Sequence, residues 1–303
     1  MHASARAFFE HLIDYAGMFP PAKLPMAEAL QNYTRIAAGP DAWMLGRFVC
    51  RTPHLGELAS LVQSSGATAP LPVIALGQGV TAGPEYKTDF EHIEAFRENR
   101  ALVVDIFETP VPRDVTPGDL SDVSHRVSVA ERGVVRLPTF LEIPMSSVWE
   151  RDIYRISLLL AGHAGPSARQ SIGLKIRCGG TAVPSVQQVA FFIDQCREAR
   201  LSWKATAGLH HPLHAGGVMA HGFINVFGAG ILAHIHNLGR DRIAEVLTEE
   251  SADAFRFTDD GFGWRDWTCT VDQIREARRW MPSFGSCSFD EPRDDLRALG
   301  WID

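Results

Sequence analysis

Gly173-Leu174-Lys175-Ile176-Arg177-Cys178-Gly179-Gly180 and Trp203-Lys204-Ala205-Thr206-Ala207-Gly208-Leu209-His210-His211 are the two segments that decide how this chain is read. Side chains alternate faces along a strand, so Gly173, Lys175 and Arg177 share one face while Leu174, Ile176 and Cys178 share the other. The second segment divides the same way, with Ser202, Lys204, Thr206 and Gly208 opposite Leu201, Trp203, Ala205 and Ala207. A strand with its apolar side under helices and its cationic side turned elsewhere suits the wall of a barrel whose interior opens into a site. Between the two segments, Val186, Val189, Phe192, Ile193 and Cys196 recur at helical spacing, and Pro184 is placed to start that helix.

Outward from this pair the chain alternates strand-like and helix-like patterns. Strands are expected over residues 12–17, 43–51, 72–77, 102–108 and 137–145, then the two lysine segments as sixth and seventh, and residues 254–258 as eighth. Helices are expected near residues 25–38, 53–63, 86–99, 119–132, 148–162, 221–233, 240–247 and 271–281. The pattern predicts an α/β fold, a single (β/α)8 TIM-type barrel over residues 1–303, with residues 283–303 a C-terminal extension docked on it through Phe284, Phe289, Leu296, Leu299 and Trp301. An open doubly wound sheet is the competitor, but Gly77-Gln78-Gly79 is followed by Val80-Thr81-Ala82 and not by the glycines of a dinucleotide loop.

Composition narrows the partners. The chain has 303 residues, 46% of them hydrophobic, and a formal charge of -7 with no dense run of Lys and Arg, so a small molecule is expected as partner and not nucleic acid. Five widely spaced cysteines without a C-x-x-C pair read as free thiols in a reducing cytoplasm. The amino terminus is too polar for a signal-peptide core, and no apolar run is long enough for a membrane span. Barrels of this size often pair through their outer helices, which leaves a homo-oligomer open.

Barrel sites lie at the carboxyl ends of strands. That rule selects Asp14, Asp105, Glu142, Lys175, Arg177, Lys204 and Thr206, then Gly208, His210 and His211. Parity between Val104 and Ile106 predicts that Asp105 faces inward, with Glu108 on the opposite face; Glu142, between Leu141 and Ile143, is read as inward too. Lys175 and Lys204, on adjacent strands roughly 4.8 Å apart, are expected to depress each other's pKa. A neutral lysine attacks a carbonyl to form a Schiff base, with Asp105 or Glu142 carrying protons and Arg177 and the backbone around Gly208 holding an anionic group. Asp14, Thr206, His210 and His211 complete the expected substrate contacts.

The two lysine segments resemble the sixth and seventh strands of the class I deoxyribose-phosphate aldolase barrels. The resemblance implies a Schiff-base lysine at Lys175, a lysine that tunes it at Lys204 and a proton-relaying aspartate at Asp105, with no cofactor. It covers less than a quarter of the chain. Ile176-Arg177-Cys178 stands where that family has Ser/Thr-rich residues, and Thr206-Ala207-Gly208-Leu209 replaces its Ser-Gly-Gly-Ile phosphate loop.

The expected activity is therefore an aldolase-type lyase acting on a small anionic carbonyl compound. Two alternatives stand beside it. His210 and His211 with acidic ligands would hold one divalent metal ion in a metal-dependent lyase or hydrolase. In the other, Lys175, Lys204 and Arg177 hold an anion such as a phosphate or a dicarboxylate with no covalent chemistry, and the barrel is a non-catalytic anion-binding protein.

Overall fold

The computed structural model describes residues 1–79, 84–96, 99–111, 116, 118–119, 121, 137–163, 172–180, 183–216 and 221–303. Segments rich in β-branched and aromatic residues form short strands: β1 Ile13–Tyr15, β2 Leu45–Arg51, β3 Leu71–Leu76, β4 Leu102–Pro110, β5 Thr139–Glu142, β6 Ile172–Arg177 and β7 Trp203–Thr206. After β7 the chain forms a separate antiparallel sheet from β8 Phe255–Phe257, β9 Gly261–Trp264 and β10 Trp267–Thr270, then returns with β11 Phe284–Ser286. The parallel strands close in the order β1-β11-β7-β6-β5-β4-β3-β2, an eight-stranded TIM barrel.

Two expectations about the carboxyl-terminal part are corrected by this topology. Residues 254–258 do not supply the eighth barrel strand; β8 pairs with β9 in the outer sheet, Phe255 opposite Trp264 and Phe257 opposite Phe262. Aromatic residues of that outer sheet pack on the amino-terminal helix instead, with Phe8 against Phe257 of β8 and Phe262 of β9. Nor do residues 283–303 merely dock: β11 bonds β1 on one side, with Ile13 opposite Phe284 and Asp14 opposite Gly285, and β7 on the other. The helix that follows, Asp290–Ala298, is tied down by Arg297 and Arg293 on Asp41 and by Asp290 on Arg35.

Outward side chains of the strands, among them Phe48, Phe107, Leu141, Leu174, Ile176, Trp203 and Ala205, join the main core beneath the helices. Burying each large one contributes about 1.5–3 kcal/mol. A smaller inner cluster of Val49, Ile74, Ile106 and Phe140 fills one side of the barrel interior and is covered by Ala16, Phe19 and Leu76. Gly173 makes room for Phe140, since a Cβ there would lie 2.9 Å from its ring.

The helix between β6 and β7 spans Val186–Glu198 and starts at an Ser185 N-cap, whose hydroxyl accepts from Gln188 N at 3.2 Å while the Gln188 side chain accepts from Ser185 N. Pro184 thus stands just before the cap, not inside the first turn, and its carbonyl pairs with His221 at 2.7 Å. The helix expected over residues 119–132 lies mostly outside the described residues. Among the described residues no helix is long and apolar enough to cross a membrane.

Candidate active site

Strands β4 to β7 and β1 place their inward side chains in one continuous row of alternating charge. Asp14 Oδ2 accepts from Lys204 Nζ at 2.5 Å, and Lys204 Nζ stands 3.0 Å from Glu108 Oε1. Glu108 Oε2 accepts from Lys175 Nζ at 2.6 Å, Lys175 lies 3.0 Å from Glu142 Oε2, and Glu142 Oε1 accepts from Arg177 Nη1 at 3.4 Å. The register produces this sequence: Glu142, Lys175 and Lys204 are direct neighbours across β5, β6 and β7. The Asp14, Lys204, Glu108 and Lys175 side chains are almost wholly buried, Glu142 is slightly exposed, and Arg177 is 46% exposed at the carboxyl end. The row therefore runs from the sealed interior to the mouth.

Its electrostatics overturn one expectation. Glu108 sits between the two ammonium groups, so they do not face each other directly. Burial pushes the Glu108 carboxyl up, but Lys175 and Lys204 outweigh burial and hold it down at about 2. Burial likewise disfavours the Lys175 ammonium, yet Glu108 and Glu142 more than offset that and raise its pKa above the ordinary lysine value. Lys175 rests as a charged ammonium, not as a free amine.

Asp105 is absent from the row, and the reason is local. Val73 pairs with Val104 and Ile74 with Ile106, which leaves Asp105 as the extra residue of a bulge. The bulge reverses the parity of the rest of β4, so Ile106 joins the inner cluster and Glu108 reaches the lysines. Asp105 instead accepts from Arg47 Nε at 2.7 Å, nearer the start of its strand. A second irregularity pairs Ile13 with Leu45 but Tyr15 with Phe48; there Arg47 N donates to Asp14 Oδ1 at 2.9 Å, and a Cβ on Gly46 would collide with the Asp14 carboxylate.

Ser283, just before β11, is the polar neighbour that sequence reasoning missed. Its hydroxyl donates to Asp14 Oδ2 at 2.5 Å and accepts from Lys204 Nζ at 2.9 Å. A serine beside a three-residue strand carries no pattern that marks it. Lys204 also lies 5.8 Å from the centroid of the Phe140 ring, the meeting point of the charged row and the apolar cluster.

The other expected residues line the rim. Thr206 neighbours Arg177 and Gly285 in register. Gly208, at φ +72°, lies backbone to backbone against Gly179, where a Cβ on either would clash with the other, so these glycines fix the loops after β6 and β7. His210 Nδ1 pairs with Glu291 at 3.0 Å and His211 Nδ1 with Asp295 at 2.7 Å, both carboxylates on the helix Asp290–Ala298. Their carboxylate partners are thus on that helix, not on the strands that carry the row. Among the described residues no group of three His, Cys, Asp or Glu side chains is placed to hold a metal ion. Cys178 is packed outward and burial pushes its thiol up to about 12, as fits a core residue.

The barrel and its charged interior define the class, a (β/α)8 barrel of a kind that commonly carries enzymes. Compared with protein-family models the chain matches none, and no curated protein matches it.

Proposed function

We propose that this barrel is a carbon–carbon lyase of the aldolase type that takes a small anionic carbonyl compound at its carboxyl-terminal mouth. One observation carries the reading: Lys175 is the outer amine of a buried row and has two carboxylates, Glu108 and Glu142, within 3.0 Å to receive its proton. Glu108, held at about 2 by two lysines, is a poor base. Glu142, less buried and nearer the mouth, is the better acceptor.

In the proposed sequence Lys175 passes a proton to Glu142 and its nitrogen bonds to the substrate carbonyl carbon. The carbonyl π pair moves to oxygen, which takes a proton back to give the carbinolamine. Loss of water leaves the iminium. Cleavage of the substrate C–C bond then sends its electron pair into the iminium as an enamine, while the departing fragment's hydroxyl yields its proton to Glu142. Lys204, itself paired with Asp14, lies deeper and holds Glu108 in position.

The test is reductive trapping. Sodium borohydride with a pool of small carbonyl compounds should leave a covalent mass increase at Lys175 that is lost in Lys175→Met. A second reading is favoured by the raised Lys175 pKa, which suits an ammonium that donates a proton to an enolate oxygen without bonding to carbon. Turnover of a carbonyl substrate with no trapped adduct would establish that reading and reject the imine.

A further inference from the structure

Among the described residues, the charged side chains that the barrel strands turn inward stand in ion pairs, except Arg51 at the mouth. Asp14, Glu108 and Glu142 are matched by Lys204, Lys175 and Arg177, and Asp105 is matched by Arg47. Arg51 is the last residue of β2 and shares the inward parity of Val49. Its side chain is exposed, and among the described residues it makes no ion pair. Its guanidinium lies 5.4 Å from the centroid of the Phe19 ring, and Phe19 itself rests on the inner apolar cluster. A guanidinium held over an aromatic face keeps its in-plane N–H donors free for a carboxylate or phosphate.

The position of Arg51 relative to Lys175 follows from strand order. Going round the barrel from β2, β6 is reached after four steps in either direction, so the two strands are opposite. The wall between them on one side carries Val49, Ile74, Ile106 and Phe140, with Leu76 at the end of β3. An elongated ligand lying from Arg51 toward Lys175 therefore meets a cation, then the half-buried Phe19 and Leu76 side chains that cover this cluster, then the amine.

We infer that Arg51, and not Arg177, anchors the anionic end of the substrate, and that the substrate is an oxo acid whose carbonyl is separated from its acid group by an apolar segment. Arg177 already has Glu142 as its carboxylate partner, whereas Arg51 makes no ion pair among the described residues. The inference rests on the reading of Lys175 as the amine that meets the carbonyl.

Cyanoborohydride trapping at Lys175, quantified by mass spectrometry of the full chain, tests it with three probes: levulinate (4-oxopentanoate), its uncharged analogue 2-pentanone, and pyruvate. Levulinate should label Lys175 at a concentration lower than 2-pentanone by on the order of tenfold, the gain expected of one charge-assisted contact. Pyruvate, whose carboxylate adjoins its carbonyl, should show little of that gain. Arg51→Met should bring levulinate to the level of 2-pentanone measured in the same variant, Arg51→Lys should recover part of the difference, and Arg177→Met should retain it. Levulinate preference that survives Arg51→Met, or disappears only in Arg177→Met, overturns the inference while leaving the imine reading intact. Absence of labelling by all three probes in the unmodified protein, whose fold is checked by circular dichroism, removes the imine reading and this inference with it.

Discussion

Lys175 and Glu108 meet at 2.6 Å inside the barrel, each with only 5% of its side chain exposed. Two ions so far from water are tolerable only because each neutralises the other, and Glu108 serves Lys204 as well. Glu108→Gln strands two buried ammonium groups and is expected to cost about 3–5 kcal/mol of stability, measured by urea denaturation. Lys175→Met in the same chain should restore part of the loss, so the double variant is more stable than the sum of the single changes predicts. Additive effects would mean that the two groups do not interact.

Stability should fall on the acid side for the same reason. The Glu108 carboxyl is at about 2 when folded against an ordinary 4.5, so its contribution is complete above about 4.5 and is lost as pH falls toward 2. Urea midpoints measured from pH 6 down to pH 2 should decline through that window, and the decline should be shallower in Lys204→Met, where one of the two cations holding Glu108 down is gone. An identical slope in the two proteins would assign the acid limb to other carboxylates.

Lys175 sets the alkaline behaviour of the proposed chemistry. Its raised pKa means that stability from the ammonium is present below the ordinary lysine value and is lost only as pH rises through the higher folded value. The free amine is scarce at neutral pH, so the rate of imine trapping should climb about tenfold per pH unit from 7 to 9. A plateau already reached at pH 7 would show that Lys175 is neutral there, contrary to the pairing with Glu108 and Glu142.

The two acids that sequence parity treats alike should separate in function. Asp105, paired with Arg47 and about 30% exposed, should tolerate Asp105→Asn with trapping at Lys175 preserved and a stability loss near 1 kcal/mol. Glu142→Gln removes the proposed proton acceptor and should slow trapping by on the order of a hundredfold. The reverse pattern would place the proton carrier on the bulge.

Where parity is undisturbed, as in β6 and β7, the faces of Lys175, Arg177, Lys204 and Thr206 are legible from alternation alone. In β4 they are not, because a bulge inserts one residue at Asp105 and leaves no trace in a single sequence, and every side chain after it changes face. The eighth strand was hidden differently. Phe284-Gly285-Ser286 is short and contains glycine, whereas Phe255-Arg256-Phe257 alternates cleanly, so local pattern favours the wrong segment. Barrel closure is a tertiary demand, and the pairing of His210 and His211 with Glu291 and Asp295 depends on it, because both acids follow β11.

Closure by β11 also yields the sharpest contrast between a docked tail and a structural strand. Phe284 N donates to Leu12 O at 2.9 Å, Ala16 N donates to Ser286 O at 2.7 Å, and Ser283 supports both Asp14 and Lys204. A chain ending at Pro282 loses these bonds, exposes the edges of β1 and β7, and leaves the Asp14 and Lys204 pair open to water. It should not unfold cooperatively, as read by circular dichroism and thermal melting. A chain ending at Phe289 keeps β11 and loses the helix Asp290–Ala298 with its pairs to Asp41, His210 and His211, together with the Trp301 contacts on Phe255 and Phe257 and buried Ile302. That protein should stay folded with a lowered melting temperature, and its labelling at Lys175 should persist. A cooperative transition in the shorter chain within a few degrees of the full-length protein would mean that the barrel closes without β11, and the description of its eighth strand would have to be abandoned.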